Sequence, residues 1–117
     1  SLHNYLLHIR VEIDFVLRHT ENLDKLLFLS DETLTRAVVR SLEIIGEATK
    51  KLPDDFKSQH PQVEWKKIAG TRDILIHDYF GIDWDIVWDI IINKLPELHF
   101  QITQIVIEAE DQKNDTN

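Results

Sequence analysis

The sequence predicts an all-α protein, an up-and-down bundle of four to five helices. Leu and Ile recur at helical steps of three or four along most of the 117 residues. Three glycines and three prolines are too few for the many turns of an all-β fold. A chain of this length, with 43% hydrophobic residues, fits one domain. We assign residues 1–110 to that domain and expect a flexible polar tail at 111–117.

Apolar stripes predict the first two long helices. The first should run from Leu2 to about Thr20. The second should begin at Ser30-Asp31, which are good N-cap residues, and stop before Pro53. Residues 22–29, between them, fit either a helical turn or a bend. The stripes are Leu2, Leu6, Ile9, Ile13, Val16 and Leu17, and then Leu34, Val38, Leu42, Ile45, Thr49 and Leu52.

A connector and a third long helix follow. Two prolines, Pro53 and Pro61, leave room between them for one short helix at most. The third long helix should begin near Val63 to Trp65 and continue to about Tyr79, because apolar and aromatic residues repeat there every three to four positions. A glycine at position 81 then ends it.

The last helix should begin at Asp83 or Trp84, and Pro96 should kink it unless the chain breaks there. Its main stripe is Val87, Ile91, Leu95, Leu98, Ile102, Ile105 and Ala109. Further apolar side chains lie off that stripe, at Trp84, Ile86, Trp88, Ile90 and Ile92. Extra apolar surface is typical of an interface, so we predict a homodimer. Burial of the same residues within one subunit would also explain the pattern.

Charge and composition narrow the possible functions. The net charge of −8 disfavours sequence-independent binding of nucleic acid, so any such site must be local. The chain has no Cys, which excludes disulfides and thiolate metal sites. We see neither a signal sequence nor an apolar run long enough to cross a membrane, and we expect a soluble cytoplasmic protein. Candidate cations lie in the central third, at Lys50, Lys51, Lys57, Lys66, Lys67 and Arg72.

The segment from Thr71 to Tyr79 combines charged side chains with bulky aliphatics. On a helical wheel Arg72 and Tyr79 lie about 20° apart, on an apolar stripe, so the guanidinium must face a carboxylate or an anionic ligand. Asp73 and His77 are neighbours on another face. Phosphodiester cleavage could use Arg72 to stabilise phosphate charge and His77 as general acid or base. If the substrate is RNA, its 2′-hydroxyl can be the nucleophile, without a metal ion.

A purely structural role explains the same spacing. Arg72 would then pair with a carboxylate to join two helices, and His77 would cap carbonyl groups at the end of its helix. Glu47 could reach the site as a ligand of Arg72, or be an ordinary solvated side chain. One histidine per chain is also few for both acid and base work, whereas a symmetric dimer would supply two.

The pattern resembles the HEPN superfamily. Arg72 is followed after four residues by His77 and then by Tyr79; Trp65 to Gly70 precede this motif and Phe80 to Asp83 follow it. Further matching strings are Ile44-Ile45-Gly46-Glu47-Ala48 and Ile86-Val87-Trp88. The combination is most similar to the HepT-like toxins of prokaryotic toxin-antitoxin pairs that consist of a HEPN protein and a minimal nucleotidyltransferase. The resemblance covers Tyr5 to about Ile107.

The resemblance implies a homodimer in which two motifs share a cleft, and metal-independent endoribonuclease activity that needs no cofactor. Arg72 and His77 correspond to the catalytic residues. From their positions in the sequence, we add Asp73 and Glu47 as supporting residues. Asp73 stands where the family often has Asn, and we expect its charge either to slow catalysis or to raise the pKa of His77. The resemblance also implies a nucleotidyltransferase antitoxin that attaches AMP to Tyr79, which would block RNA from the site.

Two other functions fit the sequence. A non-catalytic HEPN module could bind a nucleotide or dock a nucleotidyltransferase, with Arg72 as an anion contact. The substitution at Asp73 and the acidic net charge agree with that alternative. A purely structural dimer, in which Arg72 and His77 join helices, is the third possibility.

Overall fold

A computed structural model describes residues 1–76 and 81–115 and, at positions 72, 74, 76, 114 and 115, the backbone alone. Within those residues every regular element is helical, which confirms the predicted all-α bundle. The helices are α1 (Leu2–Thr20), α2 (Lys25–Ser30), α3 (Glu32–Lys50), α4 (Asp54–Gln59), α5 (Trp65–Ala69), α6 (Thr71–Ile76), α7 (Trp84–Asp89) and α8 (Leu95–Asp115). A π-helical turn, Ile90–Lys94, joins α7 to α8.

The two long N-terminal helices begin at the residues that cap them. Ser1 accepts a hydrogen bond from the backbone N–H of Asn4, and Asp31 accepts one from Leu34 at 3.0 Å. Most of each predicted stripe is buried, although Leu2 at the start of α1 is exposed. α1 packs against α3 and α8, and α3 also packs against α5 and α6. These contacts make α3 the helix on which the segment from Trp65 to Ile76 rests.

Residues 25–30 form the short helix α2, so the segment after α1 contains a helical turn and is not only a bend. Asp24 begins it by accepting a hydrogen bond from the N–H of Leu27 at 2.8 Å. Phe28 is fully buried and holds α2 against α7, with ring centroids 6.3 Å from Trp84 and 5.5 Å from Trp88. The short helix between the two prolines is α4, as expected.

The prediction of one continuous helix from about Val63 to Tyr79 is wrong in the described part. α5 ends at Ala69, Gly70 is its C-cap, and α6 starts at Thr71. The N–H of Gly70 still donates to the carbonyl of Lys66 at 3.0 Å, which is the helical spacing. The two helices are thus separated by Gly70 alone. The wheel positions of Trp65 and Arg72 therefore cannot be related through a single ideal helix.

Pro96 is accommodated by the π-helical turn that precedes it. The N–H of Leu95 donates to the carbonyl of Ile90, five residues back, which is the wider π spacing. A proline one residue later, in the first turn of α8, removes an N–H where the ladder has already changed. The chain thus continues from α7 into α8 without a break.

One core holds the bundle together. Its fully buried side chains include Ile9, Ile13, Val16, Phe28, Val38, Leu42, Leu75, Val87, Ile102 and Val106. The main stripe of the last helix is buried from Val87 to Ile105, whereas Ala109 is exposed. In the part of the chain that the structure describes, no helix has the length and apolar character needed to cross a membrane.

Candidate functional site

Helix α6 carries the first half of the predicted motif and packs on α3. Leu75 fixes its rotation, because its side chain is fully buried in the core, while Asp73 is exposed. On the wheel of α6, position 72 lies about 60° from Leu75 and 100° from Asp73, between the buried and the exposed faces. The backbone therefore presents position 72 at the border of the core.

The predicted site residues are only partly within the described structure. Glu47 lies on α3, the helix that supports α6, and its side chain is about half exposed. Its carboxylate is 3.9 Å from the ammonium of Lys50. The side chain of Arg72, and all of His77 and Tyr79, lie outside the described residues. What the structure brings together is thus the helix of Glu47 and the helix of Arg72 and Asp73.

An apolar cavity of about 230 Å³ opens beside the start of α6. α3, α5, α6, the α7 to α8 segment and its π turn line it, with Leu42, Ile45, Ile68, Thr71, Ile86, Ile90, Leu95 and Leu98 among the lining residues. Charged side chains, Glu64, Lys67, Asp89, Lys94 and Glu97, also lie along it. Sequence reasoning missed this cavity because its walls come from helices distant in sequence.

Two of the charged side chains along the cavity form a close ion pair. The Lys67 ammonium lies 2.9 Å from the Glu64 carboxylate. This hydrogen bond and the attraction of the same charge lower the pKa of Glu64. Lys67 is therefore already engaged, whereas Lys51 and Lys66 are exposed and the described ion pairs do not include them. In residues 1–76 and 81–115, no three His, Asp or Glu side chains form a group able to hold a metal ion.

The additional apolar residues of α7 and the π turn are mostly buried within the chain. Trp84, Trp88 and Ile90 pack on the core, and Ile86 lines the cavity, whereas Ile92 remains 49% exposed. The alternative of burial within one subunit therefore accounts for most of this surface. The homodimer keeps its support from the family resemblance and not from these residues.

Two pairings that join distant helices were also missed. His99 of α8 lies 2.6 Å from the carboxylate of Asp14 in α1, and Lys25 of α2 contacts Asp85 of α7. Neither pairing has a sequence signal, because 85 and 60 residues separate the partners. Both join helices at places away from α6.

Comparison with known proteins identifies the class. The family model described as Ribonuclease HepT-like matches residues 9–105. The chain therefore belongs to the HepT-like ribonuclease family, and its resemblance to HEPN proteins is confirmed. No solved structure is significantly similar to the chain.

Three relatives show how widely this family is spread. A protein of Caldanaerobacter subterraneus subsp. tengcongensis named "Putative RNase" is 48% identical over 102 residues, which cover 87% of this chain and 91% of that protein. A "Putative RNase" of Methanocaldococcus jannaschii is 53% identical over 89 residues, 74% of each chain. The "Probable ribonuclease HepT" of Thermococcus cleftensis is 41% identical over 95 residues, 81% of this chain and 86% of its own.

Proposed function

We propose that the protein is a metal-independent endoribonuclease, the cytoplasmic toxin of a toxin-antitoxin pair, and acts as a homodimer. The observation that carries this proposal is the family match over residues 9–105, combined with Arg72 and His77 at the motif spacing inside the matched region. The packing of α6 on α3 agrees with it, since a rigid support under position 72 is what a catalytic group requires.

The chemistry needs only the RNA and two side-chain types. The 2′-hydroxyl oxygen bonds to the adjacent phosphorus, and the bond from phosphorus to the 5′-oxygen of the next nucleotide breaks. One His77 takes the proton of the 2′-hydroxyl, and His77 of the partner subunit gives a proton to the leaving 5′-oxygen. Arg72 stabilises the added charge on the phosphate oxygens. The products are a 2′,3′-cyclic phosphate and a 5′-hydroxyl end.

The local charge of the described surface bears on how RNA would bind. The exposed Lys51 follows α3 and the exposed Lys66 lies in α5, both within the central third that also holds Arg72. The rest of the chain is strongly acidic, at −8 overall. We therefore propose that RNA is held locally around the motif, and that binding weakens steeply as salt rises, since phosphate contacts release counterions.

The experiment is a cleavage assay on purified protein with EDTA present. Endonucleolytic products that carry 2′,3′-cyclic phosphate ends support the proposal. A requirement for added metal ions, or 3′-hydroxyl products, would contradict the mechanism. If a folded dimer cleaves no cellular RNA, the result would favour a non-catalytic module. The specific observation in favour of that alternative is the exposed charge of Asp73.

Control by an antitoxin completes the proposal. A nucleotidyltransferase partner would use ATP, and the phenolic oxygen of Tyr79 would bond to the α-phosphorus as the bond to pyrophosphate breaks. The phenolic proton passes to a base of the partner or to water. The attached AMP adds an anion seven residues after Arg72 in the sequence, and there it would compete with RNA for the guanidinium. Incubation with the partner and labelled ATP should label the wild-type chain and not the Tyr79→Phe variant.

A further inference from the structure

Helix α2 begins at Lys25 and ends at Ser30, and the four residues between them are all apolar. Phe28 points into the core, where it is fully buried. The three leucines of α2 fall on the opposite half of the wheel, and their exposed fractions are 79% at Leu26, 54% at Leu27 and 38% at Leu29. We call these three residues the leucine face. Single exposed leucines are common, but three exposed leucines on one short helix form an apolar patch, and such patches typically mark an interaction site.

The surroundings of the leucine face are acidic. Glu21 and Asp24 precede α2, Asp31 and Glu32 follow it, and Asp85 meets its first residue; all five are exposed. The two cations of this region, Lys25 and Arg36, are already paired with Asp85 and Glu32. An apolar patch with such a border fits a protein groove edged by Lys or Arg, because complementary charges direct and orient association.

The same border disfavours other occupants. In a two-fold contact between copies of the chain, the leucine face would meet itself and place like charges opposite each other. The apolar cavity of a second copy does not complement it either, since that cavity is lined by Glu64, Asp89 and Glu97 against Lys67 and Lys94. RNA and anionic lipid surfaces would be repelled.

Chain length limits the distance between the leucine face and Tyr79. Lys25, at the start of α2, contacts Asp85 of α7, which is six residues after Tyr79. Six residues of fully extended chain span at most about 22 Å. A small folded domain is about 30 Å across. A protein seated on the leucine face could therefore bring its own active site to Tyr79.

We infer that the leucine face is the docking surface for the nucleotidyltransferase that modifies Tyr79, through an apolar groove bordered by basic residues on that partner. This inference rests on the proposed function for the identity of the partner. The structure contributes the location of the surface, its charge and the upper limit on its distance from Tyr79, which the family resemblance does not specify. Docking there would hold the partner on the chain independently of the reacting tyrosine.

The test compares a double variant of the leucine face, Leu26→Glu with Leu29→Glu, with the wild-type chain. The partner is a purified minimal nucleotidyltransferase from the same genome, and the readouts are its dissociation constant and the rate of ATP-dependent labelling of Tyr79. We expect the variant to bind at least about tenfold more weakly, since buried anchor residues dominate such interfaces. Labelling at low partner concentration should slow in proportion and recover at saturating concentration.

A matched control keeps the result specific. Val11→Glu with Phe100→Glu adds the same charge at side chains that are 61% and 64% exposed on α1 and α8. This variant should bind and be labelled like the wild type. Circular dichroism and thermal unfolding should be unchanged in both variants, because none of the four side chains is buried.

The outcomes separate the two proposals. Normal binding and labelling of the leucine-face variant would overturn the docking surface and leave the proposed function intact. Loss of self-association in that variant would also overturn it, since the face would then cover a second copy. A partner that neither binds nor labels the wild-type chain would overturn both the proposed antitoxin and its docking surface.

Discussion

His99 and Asp14 join the last helix to the first, with the imidazole Nε2 2.6 Å from a carboxylate oxygen. Their side chains are 35% and 50% exposed, so water screens the contact only in part. Pairs of this kind contribute up to about 1 kcal/mol, and helix-surface pairs about 0.3–0.5 kcal/mol. The contact ties together the two helices that lie farthest apart in sequence.

A double-mutant cycle at Asp14 and His99 should therefore give a coupling energy of about 0.5–1 kcal/mol, measured by urea unfolding at neutral pH. The exposed pair of Glu32 and Arg36, within α3, is the control and should give about 0.3 kcal/mol. A zero coupling energy at Asp14 and His99 would show that the contact does not stabilise the bundle.

Phe28 is the residue that attaches α2 to the bundle. Phe28→Ala should destabilise the chain by about 3–5 kcal/mol, because it removes a fully buried ring packed on Trp84 and Trp88. Leu26→Ala, at the most exposed leucine of the same helix, should change the free energy of unfolding by less than about 0.5 kcal/mol. Similar costs for the two variants in chemical denaturation would mean that α2 is not anchored through Phe28.

Gly81 lies between the motif and α7 and has a φ of +120°. Among the described residues nothing lies within 4 Å of the position that a Cβ would take, so the expected strain of a substitution comes from the backbone. Gly81→Ala should therefore destabilise the chain by roughly 1–2 kcal/mol. Thermal unfolding measures this cost; a variant as stable as the wild type would show that the turn tolerates an L-residue.

The charge of Asp73 should slow RNA cleavage. Its carboxylate is exposed next to the position of Arg72, so Asp73→Asn should leave the stability unchanged and remove a charge that repels RNA phosphate. One such charge near a surface is worth about 1 kcal/mol, which corresponds to roughly a fivefold faster cleavage at low salt. The advantage should shrink at high salt, and a slower variant would instead assign Asp73 a positive role.

Much of the fold could be predicted because long amphipathic helices have a recognisable periodic pattern of apolar residues. α1 has the predicted bounds, and α3 begins at its predicted cap, Asp31, since each must bury one stripe and start at a polar residue. The interruption at Gly70 and the π turn before Pro96 were not predicted, because the apolar spacing continues across both; they lie in segments that pack against α3 and α1.

The sequence predicts the motif of the candidate site but not its three-dimensional arrangement. The motif of Arg72, His77 and Tyr79, together with the matching strings around it, indicates the family, which the match over residues 9–105 confirms. The orientation of α6, set by buried Leu75, and the cavity beside it emerge only once the helices are assembled. Trp84 and Trp88 suggested an interface but pack on Phe28, since off-stripe aromatics look alike in both settings.

The central claim, RNA cleavage by the Arg72 and His77 pair, is tested most directly by the cleavage rate of the His77→Ala variant in EDTA. We expect at least a hundredfold loss relative to the wild type, since general acid–base catalysis contributes about 10²–10⁴ in rate. Circular dichroism should show the same helical content in both proteins. Cleavage by the folded variant at the wild-type rate would contradict the claim.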